Sequence, residues 1–187
     1  MNVHVALLHY PVYNRQRQVI VSSMTNLDIH DIARAALTYR VHRFYMVTPL
    51  EDQLQLIQRL VAHWREGHGA SRHPERKMAL ELVVPATSLT EVVENITLDC
   101  GQKPELLVTG ASLAGPTLSF SEARKKVMLG KPLLILFGTG WGLTNEVLEM
   151  ADHRLAPIQG CNDYNHLSVR SAAAIIFDRL LGQRKKS

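Results

Sequence analysis

The chain has 187 residues, 46% of them apolar and 20% charged, with 21 Lys and Arg against 17 Asp and Glu for a formal charge of +4. That length suits one domain with a substantial core, and the mild positive charge permits a polyanionic partner without demanding one. Two cysteines, Cys100 and Cys161, are too few for a disulfide framework and fit no zinc spacing, and no apolar run reaches the ~20 residues of a membrane-spanning helix.

Residues 1–8 lack the basic flank of a secretory signal, so a cytoplasmic protein is expected. Residues 3–8 read as a short strand. A polar loop from His9 to Arg17 follows at its C-terminal end, where functional loops gather in open α/β sheets. Residues 19–21 form a brief extended piece. From Asp28 the period becomes helical: Ile29, Ile32, Ala33, Ala36 and Leu37 make one apolar stripe, Asp28 is the expected N-cap, and Arg34 lies off the stripe. Residues 44–47 are the next strand. Thr48-Pro49-Leu50-Glu51 supplies an N-cap, an N1 proline and a third-position glutamate for a helix burying Leu54, Ile57, Val61 and Trp64. Residues 66–76, with Gly67, Gly69, Ser71 and Pro74, read as a mobile segment. Strands are expected at 80–84 and 106–108, each near a capping-box spacing, Ser88 to Glu91 and Ser119 to Glu122. Strand and helix alternate throughout, which predicts an α/β fold: a mainly parallel sheet with helices on both faces, in one domain over 1–187.

The final third carries the most informative pattern. An apolar run at 133–137 turns abruptly into Gly138-Thr139-Gly140-Trp141-Gly142, and a helix at 144–151 and an extended piece at 155–158 follow. After Gln159-Gly160 and a polar loop comes a helix at 168–181, a C-cap at Gly182 and a basic tail at 183–187. A buried strand ending in glycines lets backbone approach a ligand closely. This is no phosphate loop, which needs Gly-Lys-Ser/Thr, and no dinucleotide fingerprint, which would follow the first strand. The last helix is apolar on most of its circumference, as expected of one buried on one side and at a subunit contact on the other.

Three pieces in this order and spacing carry a resemblance: Phe137-Gly138-Thr139-Gly140-Trp141-Gly142-Leu143, Leu155-Ala156-Pro157-Ile158-Gln159-Gly160, and His166-Leu167-Ser168-Val169-Arg170-Ser171. They resemble the SPOUT class (SpoU/TrmD-like) of S-adenosylmethionine-dependent RNA methyltransferases, and within it the small single-domain bacterial group. The match runs over about 105–182, with a weaker one from Asn26 to Pro49. The resemblance implies a C-terminal trefoil knot through which the last helix is threaded, making 105–182 the knotted, cofactor-binding part. It also implies a homodimer, and methyl transfer from S-adenosylmethionine to tRNA or rRNA, on base or ribose. By the same resemblance the cofactor lies against Thr109, Gly110, Leu136, Gly138, Gly140, Trp141, Gly142, Ile158, Gly160, Leu167 and Val169.

SpoU enzymes carry an Asn-x5-Arg signature on the first helix, whose spacing falls here on Asp28 and Arg34, and this implies a catalytic Arg34. The SpoU Ser-Leu-Asn-Val-Ser is matched by His166-Leu167-Ser168-Val169-Arg170. His166 is a candidate general base, because histidine as a residue type exchanges protons near neutral pH. A solvated helix arginine and a structural histidine are the alternative readings. The Glu that follows Phe-Gly-Ser in SpoU enzymes is absent, so their ribose mechanism does not carry over. The basic segment 59–77 supplies Arg65, Arg72, Arg76 and Lys77 as candidate RNA-phosphate contacts, against the alternative of a solvated loop. Its His63, His68 and His73 share no helix face, and no metal is expected. Two other functions stay open: a SPOUT-fold protein that binds S-adenosylmethionine or RNA without transfer, and a nucleotide-dependent α/β enzyme.

Overall fold

The computed structural model describes residues 2–66, 73–162 and 164–183. In chain order the strands are β1 (Val3–Leu8), β2 (Val12–Tyr13), β3 (Val19–Ile20), β4 (Arg43–Val47), β5 (Val83–Ala86), β6 (Glu105–Val108), β7 (Leu133–Gly138) and β8 (His153–Arg154). The helices are α1 (Asn26–Thr38), α2 (Glu51–Glu66), α3 (Pro74–Leu80), α4 (Leu89–Cys100), α5 (Phe120–Met128), α6 (Asn145–Met150) and α7 (Val169–Leu181). Six strands make one sheet in the order β5-β4-β1-β7-β6-β8, every pair parallel, while β2 and β3 form a separate antiparallel hairpin.

The central strands are apolar on both faces because both faces are covered. Val3, Val5 and Leu7 of β1 and Leu133, Ile135 and Phe137 of β7 share a core with α1, α2, α3, α5 and α7. Ala6, Leu8, Leu134 and Leu136 share the opposite core with α4, α6 and Val12 of the hairpin. The period of two divides each strand's side chains between the two cores, and the parallel pairing brings every strand's C-terminal end to one edge of the sheet.

Several elements depart from the sequence expectation for local reasons. Thr25, not Asp28, caps α1: its hydroxyl accepts from the Asp28 N–H at 3.2 Å and donates to the Asp28 carboxylate at 2.6 Å. The Thr48 hydroxyl donates to Gln53 at 3.0 Å and accepts from the Leu50 N–H at 3.3 Å, and the helix is regular from Glu51. Leu80 ends α3 rather than opening a strand, and the strand begins at Val83. Pro74 at the first turn, with Glu75, is the helix start that the apolar run obscured. The segment expected to be mobile therefore lies partly in α2 (Glu66) and α3 (Pro74 to Arg76), while 67–72 fall outside the described residues.

The Ser119–Glu122 capping box forms in full. Ser88 caps α4, but Glu91 reaches the Thr87 N–H and hydroxyl, at 2.7 and 2.6 Å, instead of Ser88. The extended piece expected at 155–158 is displaced to β8, and Leu155 makes an isolated parallel bridge to Leu118. Gly182 closes α7 at φ −59°, outside the left-handed region. The Arg124 guanidinium holds that helix end through the carbonyls of Arg179, Leu180 and Gly182, the place where a cation is favoured.

Candidate active site

The loops after β6 and β8 are laced together at the C-terminal edge of the sheet. The Leu155 N–H donates to the Val108 carbonyl at 2.9 Å, the Leu118 N–H to Arg154 at 2.7 Å, and the Ala156 N–H to Leu118 at 2.8 Å. The Arg154 guanidinium donates to the Ala114 carbonyl, and the Asn165 amide to Ala111 at 3.1 Å. Next to them, Thr109 donates from both its N–H (3.0 Å) and its hydroxyl (2.9 Å) to the Leu136 carbonyl. Of the residues expected at the cofactor, Thr109, Gly110, Leu136, Gly138, Ile158, Gly160, Leu167 and Val169 lie on these segments. Leu136 is fully buried with its carbonyl engaged, Ile158 and Val169 pack against the α1/α7 core, and Leu167 is exposed.

The glycine turn is held from its other side by the hairpin. The Trp141 N–H donates to the Tyr13 carbonyl at 2.8 Å, and the Tyr13 N–H to Gly142 at 2.9 Å. Gly140 has φ +57°, and a Cβ there would stand 2.9 Å from the Tyr13 carbonyl. That glycine is demanded by the hairpin backbone, independently of any ligand. Gly160 is different. Its φ is outside the left-handed region and a Cβ would meet nothing within 4 Å, so no contact among the described residues requires it.

Beneath the turn, three side chains form a chain of hydrogen bonds. The Thr139 hydroxyl stands 3.0 Å from the Leu8 carbonyl and 2.5 Å from Ser22 Oγ. Ser22 Oγ in turn lies 3.0 Å from His9 Nδ1 and 3.4 Å from the His9 carbonyl. The other ring nitrogen of His9, Nε2, is a buried atom with no partner among the described residues. Burial lowers its pKa, and Asp28 opposes that shift. Asp28 in turn pairs with Arg170 at 3.2 Å, whose Nε also lies 3.5 Å from Asp31. Asp28 and Arg170 are two positions where this chain departs from the SpoU pattern, and the two departures contact each other. Sequence reading missed His9, Ser22 and Thr139, and noted Asp28 and Arg170 only singly. The available signal was the opposite charge gained at the two changed positions.

Arg34 is exposed on α1 and lines a groove of about 280 Å³ between α1 and α3 with Leu37, Thr38, His73, Glu75, Arg76 and Ala79. The structure thus brings Arg34 and Arg76 to one groove. Arg76 sits over the Trp64 ring at 4.7 Å, and His30, His63 and His73 surround that half-buried ring. Burial, with Arg76 and Arg34 adding to it, lowers the pKa of His30. Arg65 is exposed near the end of α2, Lys77 is half-buried on α3, and Arg72 falls outside the described residues. The exposed His166 ring stands edge-on to Tyr164 at 5.6 Å. Among the described residues, no group of three or more His, Cys, Asp or Glu is placed to hold a metal. No described helix is long and apolar enough to cross a membrane.

The sequence pattern of a family described as SAM-dependent RNA methyltransferase matches residues 2–182. The chain belongs to this family. It is 45% identical over 181 residues to a tRNA (guanine-N(1)-)-methyltransferase of Oleidesulfovibrio alaskensis, covering 97% of this chain but only 42% of that protein. It is 40% identical over 185 residues to an uncharacterized protein of Aquifex aeolicus, covering 98% of this chain and 90% of that one. The crystal structure of the SpoU methyltransferase AviRb from Streptomyces viridochromogenes, in complex with AdoMet, superposes with a TM-score of 0.58 at 16% identity. That match covers 97% of this chain and 59% of that one. It establishes the α/β fold that this chain shares with that protein.

Proposed function

We propose that the chain transfers a methyl group from S-adenosylmethionine to an RNA nucleotide at the C-terminal ends of β6 and β7, in the cytoplasm. The observation that carries this reading is the laced pair of loops with Gly160, a glycine that no contact among the described residues requires. We read the lacing as a trefoil knot: from the edge strand β8 the chain passes inside the 109–118 loop and returns to α7, which packs between α1 and α5. Bound there, the cofactor supplies a methyl already activated on a sulfonium, so the protein's work is alignment and proton removal. The apolar Ile158, Val169 and Leu167 and the turn at Gly138–Gly142 are the surfaces that would hold it.

His166, exposed on the laced loop, would take a proton from the acceptor, while the buried His9 would hold the glycine turn through Ser22 and Thr139. Arg34, exposed on α1, would serve the site of a partner in a homodimer. Half-buried Ala172, Ala174 and Ile175 on α7 offer a small apolar surface for that contact. Arg65, Arg76 and Lys77, with Arg72, would meet RNA phosphates. The first RNA to test is tRNA, because the Oleidesulfovibrio relative bears that name. Since this chain spans 42% of that relative, a second reading has support: a unit that holds cofactor or RNA for chemistry done elsewhere.

Titration with S-adenosylmethionine, then transfer of a labelled methyl group to tRNA and rRNA, separates the two. Cofactor binding with label on RNA is the expected result. Binding without transfer to either RNA selects the second reading, and no binding rejects transfer and leaves only a unit that holds RNA.

A further inference from the structure

We propose that the β2–β3 hairpin and Trp141 form a platform that grips an unpaired RNA nucleotide beside the glycine turn, an inference resting on the RNA methyltransferase reading. The hairpin turn is tightly organised for so short a segment. Asn14 Oδ1 accepts from the N–H groups of Gln16 and Gln18, both at 2.9 Å. The Asn14 N–H donates to the Gln18 carbonyl and the Arg17 N–H to the Asn14 carbonyl, both at 3.0 Å. The hairpin is fixed to the turn by the Tyr13 backbone bonds described above, by buried Val12, and by the Asn145 N–H donating to the Tyr13 hydroxyl at 3.3 Å.

What this frame presents is cationic and aromatic. Arg15, Gln16 and Arg17 are exposed at the tip, and no carboxylate occurs from Tyr10 to Val21. Arg17 is held at φ +61°, where a side chain is disfavoured and glycine or asparagine would sit more easily. Its guanidinium lies over the Tyr13 ring at 4.1 Å. A planar guanidinium in that pose suits a phosphate or a base face. Trp141, 61% exposed at the summit of the turn, turns a large apolar ring to the outside.

Arginines interleaved with aromatic rings are the chemistry of single-stranded nucleic acid binding: cations neutralise phosphates while rings stack on bases of any identity. A duplex hides its base faces, so the platform selects unpaired nucleotides. Its place on the turn that borders the cofactor segments brings a stacked base near the methyl donor.

The test is fluorescence anisotropy with a labelled single-stranded RNA oligonucleotide and with the same sequence as a duplex, at several salt concentrations. Wild type, Trp141→Ala and Arg17→Gly are compared, with thermal unfolding and S-adenosylmethionine titration on each. Wild type should prefer the single strand, and Trp141→Ala should weaken that binding about tenfold, the worth of one stacked base. Arg17→Gly should weaken it several-fold and reduce the salt slope by about 0.7. Because glycine relieves the backbone, the same variant should melt at or above the wild-type temperature, which a merely structural arginine would not combine with lost binding. Cofactor affinity should be unchanged in Arg17→Gly.

Wild-type RNA affinity in both variants would overturn the platform while leaving the methyltransferase reading intact. So would equal affinity for single strand and duplex, or a Trp141→Ala variant that loses cofactor but not RNA. A wild-type chain with no affinity for either RNA would overturn the platform and the RNA reading together, leaving only cofactor binding.

Discussion

His4 and His9 stand at opposite ends of β1, both buried, and burial is the main cause lowering the pKa of each. Their surroundings differ. His4 Nε2 meets the Asn2 side chain at 3.0 Å, His42 lies edge-on at 5.1 Å, and the ring closes the space beside Cys100. Next after burial, the positive neighbour His42 drives its pKa down, to about 4. Next after burial for His9 is the acid Asp28, which pulls the other way, and its hydrogen bonds lead through Ser22 and Thr139 into the glycine turn. Equal burial therefore does not mean equal purpose. One end of the strand is a packed stability network, and the other connects a titratable ring and an ion pair to the loops where a ligand would sit.

If the division is real, changes at the His4 end move stability and leave cofactor affinity alone, and changes at the other end move binding or transfer. The largest expected effect is on the first side. His4 is neutral in the folded chain down to about pH 4, whereas the unfolded chain takes up the proton at the ordinary 6.5. Stability should be full above pH 6.5 and fall by roughly 3 kcal/mol as the pH drops to 4. Urea unfolding across that range checks the slope, which His4→Gln should reduce without altering S-adenosylmethionine affinity at neutral pH, leaving the smaller part that His9 and His30 supply.

Next in size is Asp28→Asn, which leaves Arg170 only its longer contact to Asp31 and should cost about 1–2 kcal/mol in urea unfolding. Unlike His4→Gln it should also weaken cofactor binding, because it loosens the anchor of the 166–170 stretch. Arg34→Ala should lower methyl transfer about tenfold, or ~1.4 kcal/mol, at unchanged cofactor affinity. Mixing it with a cofactor-deficient chain should then restore activity, and failure to do so would remove the shared-site reading. The smallest effect is at Glu105, paired with Lys126 at 3.0 Å and His153 at 2.9 Å near the start of β6. The Lys126 hydrogen bond lowers the Glu105 pKa below 4.5, so its contribution is present above that value and is lost as the pH falls through the folded one. Glu105→Gln should cost under ~1 kcal/mol and leave binding untouched.

The sheet and most helices were legible because their signals are local: alternating apolar runs, Ser119 with Glu122, and Ser168 before the last helix. Boundaries slipped where two local signals competed, as at Thr25 against Asp28 and at Leu80, where an apolar run outweighed the proline start at Pro74. The glycine turn and the segments around it were also legible, but the reason for Gly140 was not. Its requirement comes from Tyr13, more than a hundred residues earlier in the chain. The same holds for Asp28 with Arg170 and for Ser22 with Thr139. Such contacts depend on which strand ends become neighbours, and no local pattern carries that.

The central claim is that S-adenosylmethionine binds across the laced loops, against the backbone at Gly160. Calorimetric titration of wild type and Gly160→Val tests it directly, because a Cβ at this position meets nothing within 4 Å among the described residues. The account predicts that Gly160→Val melts like wild type yet binds S-adenosylmethionine at least ~10-fold more weakly. Wild-type affinity in that folded variant would contradict it.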